Sequence, residues 1–78
     1  MAKQHTMTFS SFMFGNFEQT KIVLGYFDHP NDALIEAENY FLGTDFVRDM
    51  DSVPCGVLAV YEKENYNGCT RVYIDAEF

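Results

Sequence analysis

The sequence predicts an α+β fold, a four-stranded and mainly antiparallel sheet with one helix packed on one face. Two hairpin patterns flank a single helical pattern, so the predicted order of elements is ββαββ. A chain of 78 residues fits one small domain, expected over residues 6–78 after a flexible tail at residues 1–5. An apolar fraction of 47% is enough for a core and excludes a disordered acidic tail.

The first hairpin is predicted from two runs that favour strands. The run from Thr6 to Phe14 is rich in Thr, Phe and Met, and Lys21 to Phe27 reads Lys-Ile-Val-Leu-Gly-Tyr-Phe. Gly15-Asn16 between them indicates a turn. Alternation places Met7, Phe9, Met13, Ile22, Leu24 and Tyr26 on the expected core side, and Phe12, Phe14, Val23 and Phe27 on the other side.

One helix is predicted from Pro30 to about Leu42. Pro30 suits the first helical position because its missing N–H has no partner there, His29 before it is expected to help cap the helix, and Gly43 is a natural stop. Helical spacing gives a core stripe of Ala33, Leu34, Ala37, Tyr40 and Phe41. Ile35 and Leu42 lie opposite this stripe and are secondary candidates for contact with a partner, although lone surface apolar residues are common.

The second hairpin is predicted from Gly56 to Glu64 and from Thr70 to Phe78, with Asn67-Gly68 as a type I′ turn. This turn would place Glu64 opposite Arg71 and Glu62 opposite Tyr73. The face expected under the helix holds Val57, Ala59, Tyr61, Val72, Ile74 and Ala76. The outer face holds Leu58, Val60, Glu62, Glu64, Arg71, Tyr73, Asp75 and Glu77.

The outer face is the candidate site, because an antiparallel sheet with a helix on one side leaves its second side to solvent or to a partner. Glu62 with Glu64, and Asp75 with Glu77, would form a ladder of negative charge that docks on a basic surface. The predicted partner-binding residues are Glu62, Glu64, Tyr73, Asp75, Glu77, Phe12 and Phe14. The alternative is that the aromatic side chains shield one another, or that segment 44–54 covers them.

Charge and composition indicate which partners and which cellular location to expect. A formal net charge of −7 argues against direct binding to nucleic acid, which requires clustered Lys and Arg. No apolar run is long enough for a membrane helix, and no secretory signal follows the N-terminus, so a cytoplasmic location is expected. Cys55 and Cys69 lie too far apart in the predicted hairpin for a disulfide, so two free thiols are expected.

No pattern for catalysis, a metal or a cofactor is found. His5 lies in the predicted tail and His29 at the helix start, away from any nucleophile. Segment 44–54 is left open between a helical turn and a loop. Its carboxylates lack the order of an EF-hand loop and are kept as secondary candidates for partner contact: Asp45, Asp49 and Asp51.

The run Tyr26–Glu38, a strand end followed by a Pro-started helix, and the strand Val57–Glu62 resemble a loose class of proteins. These are small phage-encoded inhibitors, including anti-CRISPR proteins and phage inhibitors of host RNA polymerase. The resemblance implies a non-enzymatic protein, acting in the cytoplasm of a bacterial host, that blocks a host protein or nucleoprotein complex by binding to it. Some such inhibitors use acidic surfaces that occupy nucleic-acid sites.

The leading functional prediction is therefore an acidic protein-binding inhibitor or adaptor without catalysis. The alternative is a structural or self-associating domain, in which two copies stack their Phe-bearing outer faces into a homodimer. An enzyme and a metal protein rank below both.

Overall fold

Among the residues that the structure describes, one antiparallel sheet of five strands carries one helix. A computed structural model describes residues 2–51 and 53–76. The elements are β1 (Lys3–Met13), β2 (Asn16–Phe27), α1 (Pro30–Phe41), β3 (Val47–Asp49), β4 (Val57–Asn65) and β5 (Gly68–Asp75). The strand order is β2-β1-β5-β4-β3, and every neighbouring pair is antiparallel. The α+β class with an antiparallel sheet is confirmed.

The sheet has one strand more than the four predicted, so the predicted order ββαββ is incomplete. The additional strand, β3, lies in the segment that the sequence left open, and it pairs Val47 with Glu62 and Asp49 with Val60. A strand of three residues is too short to show an alternating pattern, so periodicity does not separate it from a loop.

Lys3, Gln4 and His5 belong to the sheet, in the segment for which a flexible tail was expected. β1 begins at Lys3, and His5 is 1% exposed, with its ring 5.7 Å from that of Phe27. A bulge leaves Leu24 as an extra residue in β2, because Thr6 pairs with Val23 and His5 pairs with Gly25.

This bulge reverses the alternation of the side chains that follow it in β2. Phe27, predicted on the outer face, therefore packs against His5, and Tyr26, predicted in the core, is 65% exposed. Tyr26 instead accepts a hydrogen bond from the Gln4 side chain at 3.2 Å.

Both hairpin turns lie one residue before their predicted positions. Phe14 and Gly15 form the first turn, both with positive φ, at 53° and 79°. Asn65 pairs with Gly68, so Tyr66 and Asn67 form the second turn. Glu62 therefore faces Arg71, two residues from the predicted Tyr73. Because this shift is even, β5 and the part of β4 from Ala59 onward keep their assigned faces.

Gly68 is needed for close packing between the hairpins. A Cβ atom at Gly68 would overlap the carbonyl oxygen of Phe12 on the neighbouring strand. The Phe14 N–H donates a hydrogen bond to the Asn67 carbonyl oxygen at 3.3 Å across the same junction. The glycine that the sequence assigned to a type I′ turn thus allows β1 and β5 to approach.

The helix ends follow the sequence signals except at the cap. Pro30 occupies the start of α1, and Gly43, with φ of 78°, follows its end. His29 sits at the N-cap position, but its side chain makes no capping hydrogen bond, which corrects the role expected for it.

The core lies between α1 and the helix-facing side of the sheet. The predicted helix residues Ala33, Ala37 and Phe41 are buried, whereas Tyr40 is exposed and Leu34 only partly buried. Phe41 stacks on Tyr61 with ring centroids 4.6 Å apart. The main cluster of buried residues contains Met7, Ala37, Phe41, Ala59, Tyr61, Val72 and Ile74.

Two apolar residues predicted on the outer face are not exposed. Val60 is fully buried, between its cross-strand neighbours Asp49 and Tyr73. Leu58 packs against the core, because a register shift between Val57 and Ala59 breaks the alternation there. The outer face is therefore more polar than the sequence pattern suggested.

We expect Tyr61→Phe to leave the protein as stable or to stabilise it by about 1 kcal/mol. The Tyr61 hydroxyl is buried and has no hydrogen-bond partner among the described residues. Removing such a group with its volume nearly conserved removes a desolvation cost. Denaturant unfolding of the two proteins at neutral pH measures this difference, and a loss of about 2 kcal/mol or more would show that the hydroxyl is satisfied.

The same variant should also change the response to alkali. Burial is the largest cause that raises the pKa of Tyr61 above its usual 10.0; nearby Arg48 lowers it and Glu38 raises it further. The folded protein keeps this proton while the unfolded chain releases it, so this contribution to stability declines as the pH rises above about 10. The free energy of unfolding of Tyr61→Phe should therefore fall less steeply above about pH 10 than that of the native chain, which denaturant unfolding at several pH values measures.

Candidate functional site

The outer face, the side of the sheet opposite α1, brings together several of the predicted partner-binding residues. Side chains there form rows across the strands. One row consists of Ser10, Arg71, Glu62 and Val47. The next row, nearer the hairpin turns, consists of Phe12, Cys69 and Glu64. Glu62, Glu64 and Phe12 therefore share one surface, as the alternation predicted.

Arg71 lies within the acidic part of this face and partly neutralises it. Its Nε is 3.3 Å from Oε2 of Glu62, and both side chains are 44% exposed. A side-chain hydrogen bond to Tyr73 is the largest cause that raises the pKa of Arg71, and the charge of Glu62 is the next. An exposed ion pair adds little stability. The main effect of this pair is therefore to place a positive charge beside the carboxylates of the outer face.

Asp75 contributes to the sheet rather than to a free acidic ladder. Its Oδ2 accepts hydrogen bonds from the Thr6 and Thr8 hydroxyls at 2.8 and 2.9 Å. Both threonines are buried. The predicted ladder of four carboxylates is thus reduced to Glu62 and Glu64 among the described residues, since Glu77 lies outside them.

We expect Asp75→Ala to lower the free energy of unfolding by about 1–3 kcal/mol, because two buried hydroxyls lose their acceptor. Glu64→Ala is the matched control, since Glu64 is exposed and its loss should change stability by about 0.5 kcal/mol or less. Thermal and denaturant unfolding measure both. Equal stabilities of the two variants would contradict the structural role of Asp75.

A groove of about 570 Å³ opens at the end of the outer face nearest the second hairpin turn. It is lined by Asp45, Val47, Glu62, Lys63, Glu64, Cys69 and Arg71. Carboxylates outnumber the two cations, so the groove suits a cationic side chain of a partner, with Val47 as an apolar contact. Cys69 is exposed in this groove. Cys55 and Cys69 are both free thiols, as predicted.

Exposed aromatic side chains continue this surface beyond the acidic groups. Phe12 is 49% exposed and pairs across the strands with Phe17, which is 62% exposed. Phe14 lies in the adjacent turn and is 66% exposed. Aromatic residues, Phe included, are enriched at protein–protein interfaces relative to the rest of the surface.

Phe17 and Val47 belong to this surface but were missed from the sequence. Because the first turn consists of Phe14 and Gly15, Phe17 lies opposite Phe12. Phe17 belongs to the part of β2 before Lys21, for which no strand was predicted. The aromatic residues on either side of a short turn were the available signal. Val47 had no such signal, because β3 was not predicted.

The secondary candidates lie apart from the outer face or at its margin. Ile35 and Leu42 are exposed, but Leu42 follows the end of α1 and so does not form a continuous helical ridge with Ile35. Asp45 lines the groove, and Asp49 in β3 accepts a hydrogen bond from the Asp51 N–H at 2.9 Å. Within residues 2–51 and 53–76, no three His, Cys, Asp or Glu side chains are grouped to hold a metal ion.

Comparison with protein-family profiles, curated proteins and solved structures found no match. In the part of the chain that the structure describes, no helix is long and apolar enough to cross a membrane.

Proposed function

We propose that this protein is a non-enzymatic binding module that docks its outer face on a basic surface of another protein or nucleoprotein complex. The observation that carries this proposal is the grouping of Glu62, Glu64 and Phe12 on the sheet face opposite the helix. Acidic groups beside exposed aromatic rings supply both a long-range field and a short-range anchor.

Electrostatics support a basic partner. The formal net charge is −7, and Glu62 and Glu64 point to the same side of β4, about 7 Å apart along the strand. A field of one sign speeds the encounter with an oppositely charged surface. Arg71, paired with Glu62 at 3.3 Å, places one cation beside the acidic groups, which a partner would match with a carboxylate among its own cations.

More specifically, we propose that the protein is a phage-type inhibitor, resembling anti-CRISPR proteins, that acts in the cytoplasm of a bacterial host. Small size, negative charge and an uncovered sheet face suit a protein that occupies a basic site on a host complex. We propose no catalytic step, because His5 is packed against Phe27 and His29 lies at the start of α1, both away from the outer face.

A capture experiment with three immobilised proteins tests this proposal: the native chain, Glu62→Lys with Glu64→Lys, and Glu36→Lys with Glu38→Lys. Both variants have the same net charge, but the second pair lies on α1. We expect a bacterial lysate to yield a protein that the native chain and the α1 variant retain and the outer-face variant loses. Equal retention by all three would overturn the assignment of the outer face.

A self-associating domain is the second candidate, favoured by the exposure of Phe12, Phe14 and Phe17. Stacking two outer faces would bury these rings, but it would also bring Glu62 and Glu64 toward the same groups of a second copy. Such a dimer would dissociate on Phe12→Ser with Phe14→Ser, which the sedimentation behaviour of that variant would show.

A further inference from the structure

β2 forms a long open edge of the sheet. In the described part of the chain β2 has β1 as its one neighbouring strand, and its first eight residues, from Asn16 to Val23, are all exposed. The opposite edge, β3, is three residues long. An exposed edge strand presents unpaired N–H and C=O groups to any strand that can align with it. The edge of β2 is therefore the more favourable of the two for strand addition.

The first hairpin turn determines which backbone groups of β2 point outward. A two-residue turn at Phe14 and Gly15 makes Met13 and Asn16 a hydrogen-bonded pair. Regular alternation continues as far as the bulge opposite His5 and Thr6. Four residues of β2 therefore direct their N–H and C=O groups away from β1: Phe17, Gln19, Lys21 and Val23.

We propose that a second copy of this chain pairs with the β2 edge, antiparallel and about a two-fold axis at Thr20. A two-fold axis at Glu18 or Lys21 would place identical charges opposite each other, which disfavours those registers. An axis at Thr20 places Gln19 opposite Lys21 of the second copy.

The same register matches the apolar and hydroxyl side chains. Phe17 lies opposite Val23 of the second copy, and Thr20 lies opposite Thr20; both are pair types that stabilise antiparallel strands. An axis at Gln19 would instead place Phe17 opposite Lys21. The Thr20 register thus aligns the outward hydrogen-bonding groups of both strands and avoids opposed like charges, while it places Glu18 opposite Ile22 of the second copy. These matches favour a second copy over an unrelated strand.

This association would join two five-stranded sheets into one. Because the two-fold axis is perpendicular to the sheet, both outer faces lie on the same side and can engage a two-site partner together. The inference does not depend on the proposed function, since the dimer is measured without any other protein.

Sedimentation velocity of the native chain at increasing concentration tests the association. We expect the mass to rise from 9.0 kDa toward twice that value. Gln19→Pro should hold the protein at the monomer mass, because it removes an outward N–H while leaving the ladder to β1 intact. A native chain that stays monomeric at every concentration, or a folded Gln19→Pro variant that still dimerises, would overturn the proposal.

Two charge variants test the register and remain informative if the proline variant does not fold. Gln19→Glu should tighten the dimer about fivefold, because each new carboxylate faces Lys21 of the other copy, and Gln19→Lys should weaken it by a similar factor. Weakening by both changes would indicate that residue 19 faces itself, which contradicts the axis at Thr20.

Phe14→Ser is the control for face-to-face stacking. Phe14 lies in the turn, outside the paired segment, so we expect this variant to dimerise as the native chain does. Loss of the dimer in Phe14→Ser, with retention in Gln19→Pro, would assign self-association to the outer face and overturn the edge-pairing inference.

Discussion

Phe41→Ala should lower the free energy of unfolding by about 3–5 kcal/mol, the range for removing a buried aromatic ring. Phe41 is the centre of the aromatic core: its ring lies 4.6 Å from that of Tyr61, 4.9 Å from that of Phe46 and 6.3 Å from that of Phe9. The small side chains Ala33 and Ala37 on the same helix face cannot fill the space. In a small domain this loss is a large share of the total stability.

Denaturant unfolding measures the free energy of unfolding of Phe41→Ala and of Ile35→Ala, which compares a buried and an exposed residue of the same helix. Ile35 is exposed on α1, so its truncation should change stability by about 0.5 kcal/mol or less. If Phe41→Ala cost no more than Ile35→Ala, the packing of α1 on the sheet described above would be wrong.

Glu62→Lys with Glu64→Lys should slow association with the captured partner by about tenfold or more at low salt. The change raises the formal net charge from −7 to −3, because each substitution removes one negative charge and adds one positive charge. The rate should also depend less steeply on salt, since the steering field near the groove is reversed. Stability should change little, because both side chains contact solvent.

The α1 variant, Glu36→Lys with Glu38→Lys, separates a local field from overall charge. It has the same net charge, but its substitutions lie on the opposite side of the sheet. Stopped-flow or surface-based kinetics should give it an association rate near that of the native chain. Equal slowing in the two variants would mean that net charge, and not the outer face, controls the encounter.

Phe12→Ser should act differently from these charge changes. It removes a short-range contact and should mainly speed dissociation. It is a better probe than a substitution at Tyr73, because Tyr73 is partly buried and pairs across the strands with the fully buried Val60. A change at Tyr73 would therefore disturb the sheet as well as the surface.

Strand alternation explains why the outer face was largely predictable. Glu62, Glu64 and Arg71 were assigned to it although the second turn lies one residue earlier than predicted, because the resulting shift of two residues preserves the faces. The helix was similarly predictable, since Pro30 and Gly43 carry strong boundary signals.

The remaining features depend on tertiary contacts that no local pattern encodes. The bulge at Leu24 reverses the faces of Tyr26 and Phe27. The hydrogen bonds of Asp75 to Thr6 and Thr8 require β5 to lie beside β1, and the sequence left the strand order open. The turn signal in the sequence identified β4 and β5 as a hairpin. It carried no information on which strand lies on the other side of β5, so the role of Asp75 in the sheet could not be predicted from it.

The most direct test of the account is an amide chemical-shift map of the isotope-labelled chain titrated with the captured partner. If the outer face is the binding surface, the largest changes should fall at Glu62, Glu64, Cys69 and Arg71, while α1 is unchanged. Changes concentrated on α1 around Ile35, with the groove unaffected, would contradict the assignment of the outer face as the binding surface.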